Sequence, residues 1–324
     1  MRILQGIDAL RELPPGAVLT IGNFDGLHRG HQRLLEICRE RASERRVVVV
    51  TFEPHPLTVL RPAAVPPRLT TPEMKQELIE AQGVDAYIVL PPEPSVLNLT
   101  AEDFWAMIRD QVRPAFIIEG PGFTFGKGRL GNGKKLAEWS AGSAVRFEQI
   151  EPVKVALLDL SLVAANSSLI RWLLSNGRVR DAAICLGQPY TLRGKVIKGY
   201  GRGRTIGVPT ANLESEGQCI PADGVYAGRC RVDGRAFTAA VSIGDMPTFN
   251  DGKRQIEAHL LDFEGDLYGR SVDLELVDWL REQRKFSGIQ ALKSGIAVDL
   301  EQTRRRSALD PSEPIAVAEL TTAR

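Results

Sequence analysis

Histidine is scarce in this chain, four in 324 residues, and two of the four stand three apart in the stretch IGNFDGLHRGHQ, residues 21–32. An apolar run, AVLTIG (17–22), leads into it, and a helical pattern with Leu34, Leu35 and Cys38 on one face follows. A strand that turns through glycine into a helix presents backbone N–H groups at the helix N-terminus, which is an anion site. Gly22, Gly26 and Gly30 allow a tight turn and close approach of a ligand. His28 and His31 share a helix face, and two imidazoles there suit a phosphate and the charge that develops on it. Capping of a turn is the competing reading of this pair, and it explains less of the pattern. His55, in TFEPHP, reads as a turn residue held between prolines, with ligand contact as the alternative.

A second constellation is GKVIKGYGRGRTIGVPTANL, residues 194–213. Gly199, Arg202 and Arg204 belong to a flexible cationic loop suited to covering phosphates. Thr210 and Asn212 then fall on one face of a strand, and their hard oxygen donors suit Mg²⁺ carried by ATP. Read alone, the segment serves equally as a solvated basic hairpin.

These groups need elements to position them. Through residue 187 the chain alternates β-branched strands (RVVVVTF, DAYIVL, AFIIEG) with helical segments. One helix is opened by Thr71 and Pro72, and another by the capping pair Thr100 and Asp103. That alternation predicts an α/β, Rossmann-like domain with a parallel sheet covered on both faces. Two short helices, NSSLIRWLLSNG and RVRDAAICLG, precede Gly187. After it come short strands punctuated by Gly and Pro, as in a small antiparallel β-barrel. The expected division is 1–187, 188–306 including a final helix, and a disordered tail over 307–324.

The bulk numbers are those of a globular protein, 43% hydrophobic and 25% charged, and the net charge of +1 offers no nucleic-acid surface. Apolar runs are too short to span a membrane, and MRILQGIDALRELPPG lacks the core of a signal peptide. Four dispersed cysteines without a CxxC pair read as buried thiols in a reducing, cytoplasmic setting.

GNFDGLHRGHQ resembles the HxGH phosphate-binding motif of nucleotidylyltransferases. Together with TFEPHP, RLTTPEMK and FTFGKGRLGN, it resembles the N-terminal module of the bacterial bifunctional riboflavin kinase/FAD synthetases. The resemblance implies transfer of AMP from ATP to FMN, with pyrophosphate released and FAD formed. It gives His28 and His31 catalytic roles and places Gly22, Asn23, Phe24 and Gly26 on the ATP phosphates. NSSLIR resembles the family's second nucleotide motif, which would bring Ser167, Ser168 and Arg171 to the triphosphate; by itself it is an ordinary N-cap. Phe123 and Phe125 read as core residues, whereas the resemblance puts them beside the flavin.

The run from 188 to about 305 is similar to riboflavin kinase, a six-stranded barrel that phosphorylates riboflavin from ATP. The similarity implies Glu257 as general base, Thr210 and Asn212 as metal ligands, and Arg281 and Phe286 in a loop over the flavin; Tyr268 reads as packing. The implied partners are small molecules: riboflavin, FMN, FAD and ATP with Mg²⁺. Two positions depart from the family pattern, Gly122 in place of an aspartate and Asn166 in place of a serine. They motivate an alternative, a kinase whose first module is weak or serves as a nucleotide- or flavin-binding regulatory domain.

Overall fold

The computed structural model describes residues 1–199, 203, 206–245 and 254–312. Arg202 and Arg204 lie outside the described residues, as does the part of the expected tail from 313 onward. The chain forms two compact units, residues 1–66 with 72–153, and residues 67–71 with 154–324.

The first unit is built on a parallel sheet of β1 (Arg2–Gln5), β2 (Val18–Ile21), β3 (Val47–Phe52), β4 (Ala86–Leu90), β5 (Phe116–Glu119) and β8 (Arg146–Gln149). Their order is β1-β4-β3-β2-β5-β8. A small hairpin of β6 (Thr124–Phe125) and β7 (Gly131–Asn132) follows β5. The helices are α1 (Arg29–Ala42), the single turn α2 (Leu57–Leu60), α3 (Pro72–Ala81), the single turn α4 (Pro94–Leu97), α5 (Ala101–Met107) and α6 (Gly133–Ser140). Thr100 caps α5 as expected, its Oγ1 accepting from Asp103 N–H at 3.0 Å. β3 shows why its sequence reads as a run of four valines. Val48 and Val50 pack into one core with Leu19, Ile88 and Trp105, while Val47 and Val49 pack into another with Leu35, Cys38 and Ile79. With both faces covered, the strand is apolar apart from Thr51, whose buried hydroxyl donates to Asn23 O at 3.4 Å. The edge strands β1 and β8 were not expected from the sequence, since exposed residues interrupt their apolar pattern.

The second unit holds the hairpin of β9 (Lys154–Ala156) and β10 (Leu162–Ala164), then α7 (Ser167–Ser175) and α8 (Val179–Leu186). A closed barrel follows, made of β11 (Tyr190–Ile197), β12 (Ala211–Ser215), β13 (Gly224–Val232), β14 (Arg235–Asp245), β15 (Arg254–Leu260) and β16 (Ser271–Arg281). It closes in the order β11-β12-β15-β14-β13-β16, with every pair antiparallel. The fold class read from the sequence is thus the observed one.

α7 and α8 share one core with the barrel, Leu173, Leu174 and Ile184 lying in the same cluster as Tyr190 and Leu276. The compact unit therefore begins at 154, whereas the strand pattern changes at 187. The C-terminal helix Ile289–Arg306 ends in Ser307, which is buried; its carbonyl accepts from Arg229 Nη1 at 3.3 Å. Residues 307–312, expected in the tail, are thus held by the barrel at their start, and Ser312 is buried as well.

Candidate active sites

In the first unit β3 and β4 lie on one side of β2, and β5 on the other. The order of connection reverses between β2 and β5, and ligands of open α/β sheets bind beyond the strand C-termini at such a point. The GNFDGLHRGH loop leaves β2 there. Its backbone is tightly wound, with positive φ at Phe24 (50°), Gly26 (81°) and Leu27 (39°). Left-handed angles at two large residues are costly and persist only where packing imposes them; Phe24 and Leu27 are each 1% exposed. A Cβ at Gly22 would press on the Phe24 ring at 3.2 Å, so any larger residue would have to shift that ring by a few tenths of an ångström.

His28 occupies the N-cap position of α1 without capping it through its side chain, which leaves the imidazole to face its neighbour. The rings of His28 and His31 stack with centroids 3.7 Å apart and planes inclined by 23°. Burial, then His28 and then the Lys75 ammonium hold His31 well below the usual histidine range, so it is neutral at physiological pH. A neutral imidazole offers one N–H donor and one acceptor. Its buried Nδ1 has no hydrogen-bond partner among the described residues.

Lys75 was not anticipated as part of this site. It is buried and pairs with Glu53 at 2.8 Å. The available signal was a lysine near the N-terminal end of a helix, opposed to the helix dipole. His55 is a turn residue, as read, since its Nδ1 accepts from Leu57 N–H at 3.1 Å. It also reaches the motif, with Nε2 3.1 Å from the side-chain amide of Asn23.

Glu119, at the end of β5, is 1% exposed, and its Oε1 accepts from Ile21 N–H at 2.8 Å. Burial raises its carboxyl well above the usual range, partly offset by that N–H. Phe125 is buried against Phe104 and Trp139, confirming a core position. Phe123 stacks on it at 5.5 Å and stays half-buried. Gly122 has nothing within 4 Å of a would-be Cβ.

In the second unit, Asn166 caps α7, its Oδ1 accepting from Leu169 N–H at 2.9 Å. The departure from serine thus preserves the helix start, because asparagine is as strong an N-cap. Ser167 and Ser168 open that helix, and Arg171 Nε donates to Pro67 O at 2.7 Å.

On the barrel, Asn212 of β12 stands opposite Glu257 of β15, and Glu257 opposite Ser242 of β14. Cross-strand partners share a face. Ile256, Ala258 and Leu260 are buried in the core, so Glu257 faces outward. Thr210 precedes Asn212 by two residues, and a Cβ at Gly199 would fall 2.0 Å from Asn212 Nδ2. That glycine leaves the space in which the Asn212 amide lies. Ser242 and Gln283 were not anticipated; Gln283 Nε2 donates to Ser242 Oγ at 3.1 Å and to Ile243 O at 2.9 Å.

Arg281 is paired within the protein. Its Nε and Nη2 donate to the two oxygens of Asp299 at 2.8 and 2.7 Å, and its Nη1 to Glu282 O. The guanidinium lies over the Phe286 ring at 5.6 Å, and Phe286 abuts Gly295 of the C-terminal helix. The guanidinium fork thereby ties this loop to the helix. Tyr268 is 45% exposed, which corrects the reading of it as packing.

All four cysteines are buried outside any disulfide. Among the described residues no His, Cys, Asp and Glu cluster could hold a metal, and no helix is long and apolar enough to cross a membrane.

A parallel sheet with an anion loop at its switch point, joined to a closed six-stranded barrel with a polar outer row, defines a nucleotidyltransferase-type module linked to a kinase-type barrel. Comparison with known proteins agrees. The FAD synthetase family model matches residues 10–161, and the riboflavin kinase model residues 186–307. Bifunctional riboflavin kinase/FMN adenylyltransferases are 34% identical in Pseudomonas fluorescens (95% of this chain, 98% of that one). Those of Escherichia coli K12 (92% and 96%) and Bacillus subtilis (91% and 94%) are also 34% identical. A solved structure described as a macrolide-efflux protein from Streptococcus pneumoniae is 28% identical, with a TM-score of 0.84 over 95% of this chain and 100% of that one. The chain belongs to the family of bifunctional riboflavin kinase/FMN adenylyltransferases. It is an enzyme with two transferase activities.

Proposed function

We propose that residues 1–187 adenylylate FMN to FAD and residues 188–306 phosphorylate riboflavin to FMN, with ATP as donor in both steps. The observation that carries the first assignment is the stacked His28–His31 pair, with His31 held neutral, on a strained loop at the sheet's switch point. An FMN phosphate oxygen attacks the α-phosphorus of ATP, and pyrophosphate leaves as the α–β bridging bond breaks. Such a transfer needs positioning and charge stabilisation rather than a covalent nucleophile. The two imidazoles and the N-terminal amides of α1 donate to the phosphate oxygens, and Asn23, oriented by His55, fixes the loop. Phe123 offers the half-buried ring for the flavin. Ser167, Ser168 and Arg171 are assigned to the triphosphate on the family motif.

In the kinase, Glu257 accepts the proton of the ribityl 5′-hydroxyl as that oxygen attacks the γ-phosphorus and ADP departs. Thr210 and Asn212 supply hard oxygen donors of the kind that Mg²⁺ takes, and Gly199 leaves the room in which the Asn212 amide lies. Mg²⁺ held there would neutralise phosphate charge. Arg202 and Arg204 are assigned to the phosphates. Phe286, held by Arg281, is assigned to the flavin. Buried thiols outside disulfides fit a cytoplasmic enzyme.

The test is purified protein with riboflavin, ATP and Mg²⁺, resolving FMN and FAD by chromatography. Both products are expected in sequence. FMN without FAD, also when FMN is supplied directly, would leave only the kinase.

A further inference from the structure

We infer that Glu119 is a positioning residue for adenylyl transfer, its buried side chain standing in for a missing main-chain partner between β2 and β5 and so fixing the phosphate loop against the flavin-side loop. The inference rests on the adenylyl-transfer reading above. Val18 and Gly22 N–H donate to Arg46 and Val50 carbonyls on the β3 side. In a parallel strand alternate residues turn their peptide groups to opposite neighbours, so the N–H groups of Leu19 and Ile21 face β5. The β2–β5 ladder, however, pairs only Val18 with Phe116 and Leu19 with Ile117. Beyond that point the strands part, as they do where a switch-point crevice opens.

Ile21 N–H therefore faces a gap, one residue before the GNFDGLHRGH loop. Glu119 Oε1 fills it at 2.8 Å. A buried N–H left without an acceptor would be strongly unfavourable, so the side chain does the work of a carbonyl. Glu119 is also tied on its other side. Its own carbonyl accepts from Ile150 N–H at 2.9 Å, and the next carbonyl, Gly120 O, accepts from Gln149 Nε2 at 3.1 Å. From Gly120 the chain runs directly into Phe123 and Phe125. A single carboxyl thus links the end of β2, which launches the histidines, to the end of β5, which launches the aromatic loop. Its burial favours the acid form, for which glutamine is the matched replacement.

Three full-length proteins test this: wild type, Glu119→Gln and Glu119→Val. Each is assayed for FMN to FAD and for riboflavin to FMN, with thermal stability and amide exchange at Ile21 measured alongside. Gln keeps an acceptor oxygen, so it should retain most adenylyl transfer and a protected Ile21 amide. Val removes the acceptor; kcat for FAD formation should fall by about 10²-fold, the scale of a misplacement near 1 Å. Kinase turnover should be unchanged, and Ile21 exchange faster. Wild-type FAD formation with full activity in the Val protein would overturn this inference alone. So would equal loss in the Gln and Val proteins, or a loss in Val that only follows its unfolded fraction. No FAD from wild type would instead overturn the underlying reading. Should the Val protein not fold, Glu119→Met carries the same comparison.

Discussion

Gly199→Ala tests the kinase site through geometry alone. The added Cβ would lie 2.0 Å from Asn212 Nδ2 and 2.6 Å from its Cγ. Nonbonded carbon atoms settle at about 3.5 Å or more, so the amide must retreat by roughly 1 Å. It has little room to do so without leaving its place. Asn212 is 8% exposed and lies in the ladder between Ile197 and Glu257. Gly199 itself has no left-handed φ, so alanine brings no backbone strain of its own. A displacement near 1 Å in a catalytic group costs on the order of 10²-fold, or about 2.7 kcal/mol of transition-state stabilisation. The assay is kcat/KM for riboflavin to FMN, with FMN to FAD in the same protein as internal control. Kinase loss with intact adenylyl transfer and little change in Tm is the expected pattern. Asn212→Ala should lower the rate similarly, and the double variant should be no worse than Asn212→Ala, since both act on one group. An unimpaired Gly199→Ala kinase, or additive losses, would refute the reasoning.

Glu257→Gln should lower FMN formation by about 10²-fold or more, because an amide cannot accept the proton, while FAD formation from supplied FMN survives; near wild-type kinase turnover would dismiss Glu257 as the base. His31→Ala should reduce FAD formation by roughly 10²–10³-fold, the scale of one lost charge-stabilising donor, with the kinase as control. Gly122→Asp should leave FAD yield equal or raised, since a Cβ there meets nothing within 4 Å; a fall in yield would count against the space around Gly122 being available to a ligand-facing carboxylate. His31 also gives stability a pH dependence. Its folded pKa lies below the ordinary 6.5, with burial the main cause, so the unfolded chain takes up the proton first on acidification. Stability present above 6.5 should decline below it, at no more than about 1.4 kcal/mol per pH unit from this group. Urea unfolding of wild type and His31→Ala across that window should give a shallower dependence for the variant; parallel slopes would refute the assignment.

The parts legible in the sequence were those whose signal is local. β2 and β3 announce themselves as short β-branched runs because both faces are buried, and the histidine pair shares a face because helix geometry places residues three apart together. β1 and β8 escaped because edge strands with exposed residues lose the apolar run. Glu119 and Lys75 escaped for another reason. Glu119 meets Ile21 across 98 positions, and Lys75 meets Glu53 across 22, so neither partner is visible from the neighbouring residues. The pairing of Arg281 with Asp299 escaped likewise, since Asp299 lies 18 residues on in a helix.

The five residues 67–71 give the chain an unusual route. It runs through the first unit to 66, through the second for 67–71, back through the first for 72–153, and into the second again from 154. Within the second unit this strap is bonded by its backbone: Arg68 N–H donates to Gly217 O at 3.1 Å, and Arg68 O accepts from Cys219 N–H at 2.7 Å. Gln218 Nε2 donates to Leu69 O, and Arg171 Nε to Pro67 O. The chain therefore passes between the two units three times rather than once. A cut between 153 and 154 would release a barrel half without its strap, leaving Cys219 N–H, Gln218 Nε2 and Arg171 Nε without these acceptors, and grafting either half onto another protein would require re-routing a loop as well as joining an end.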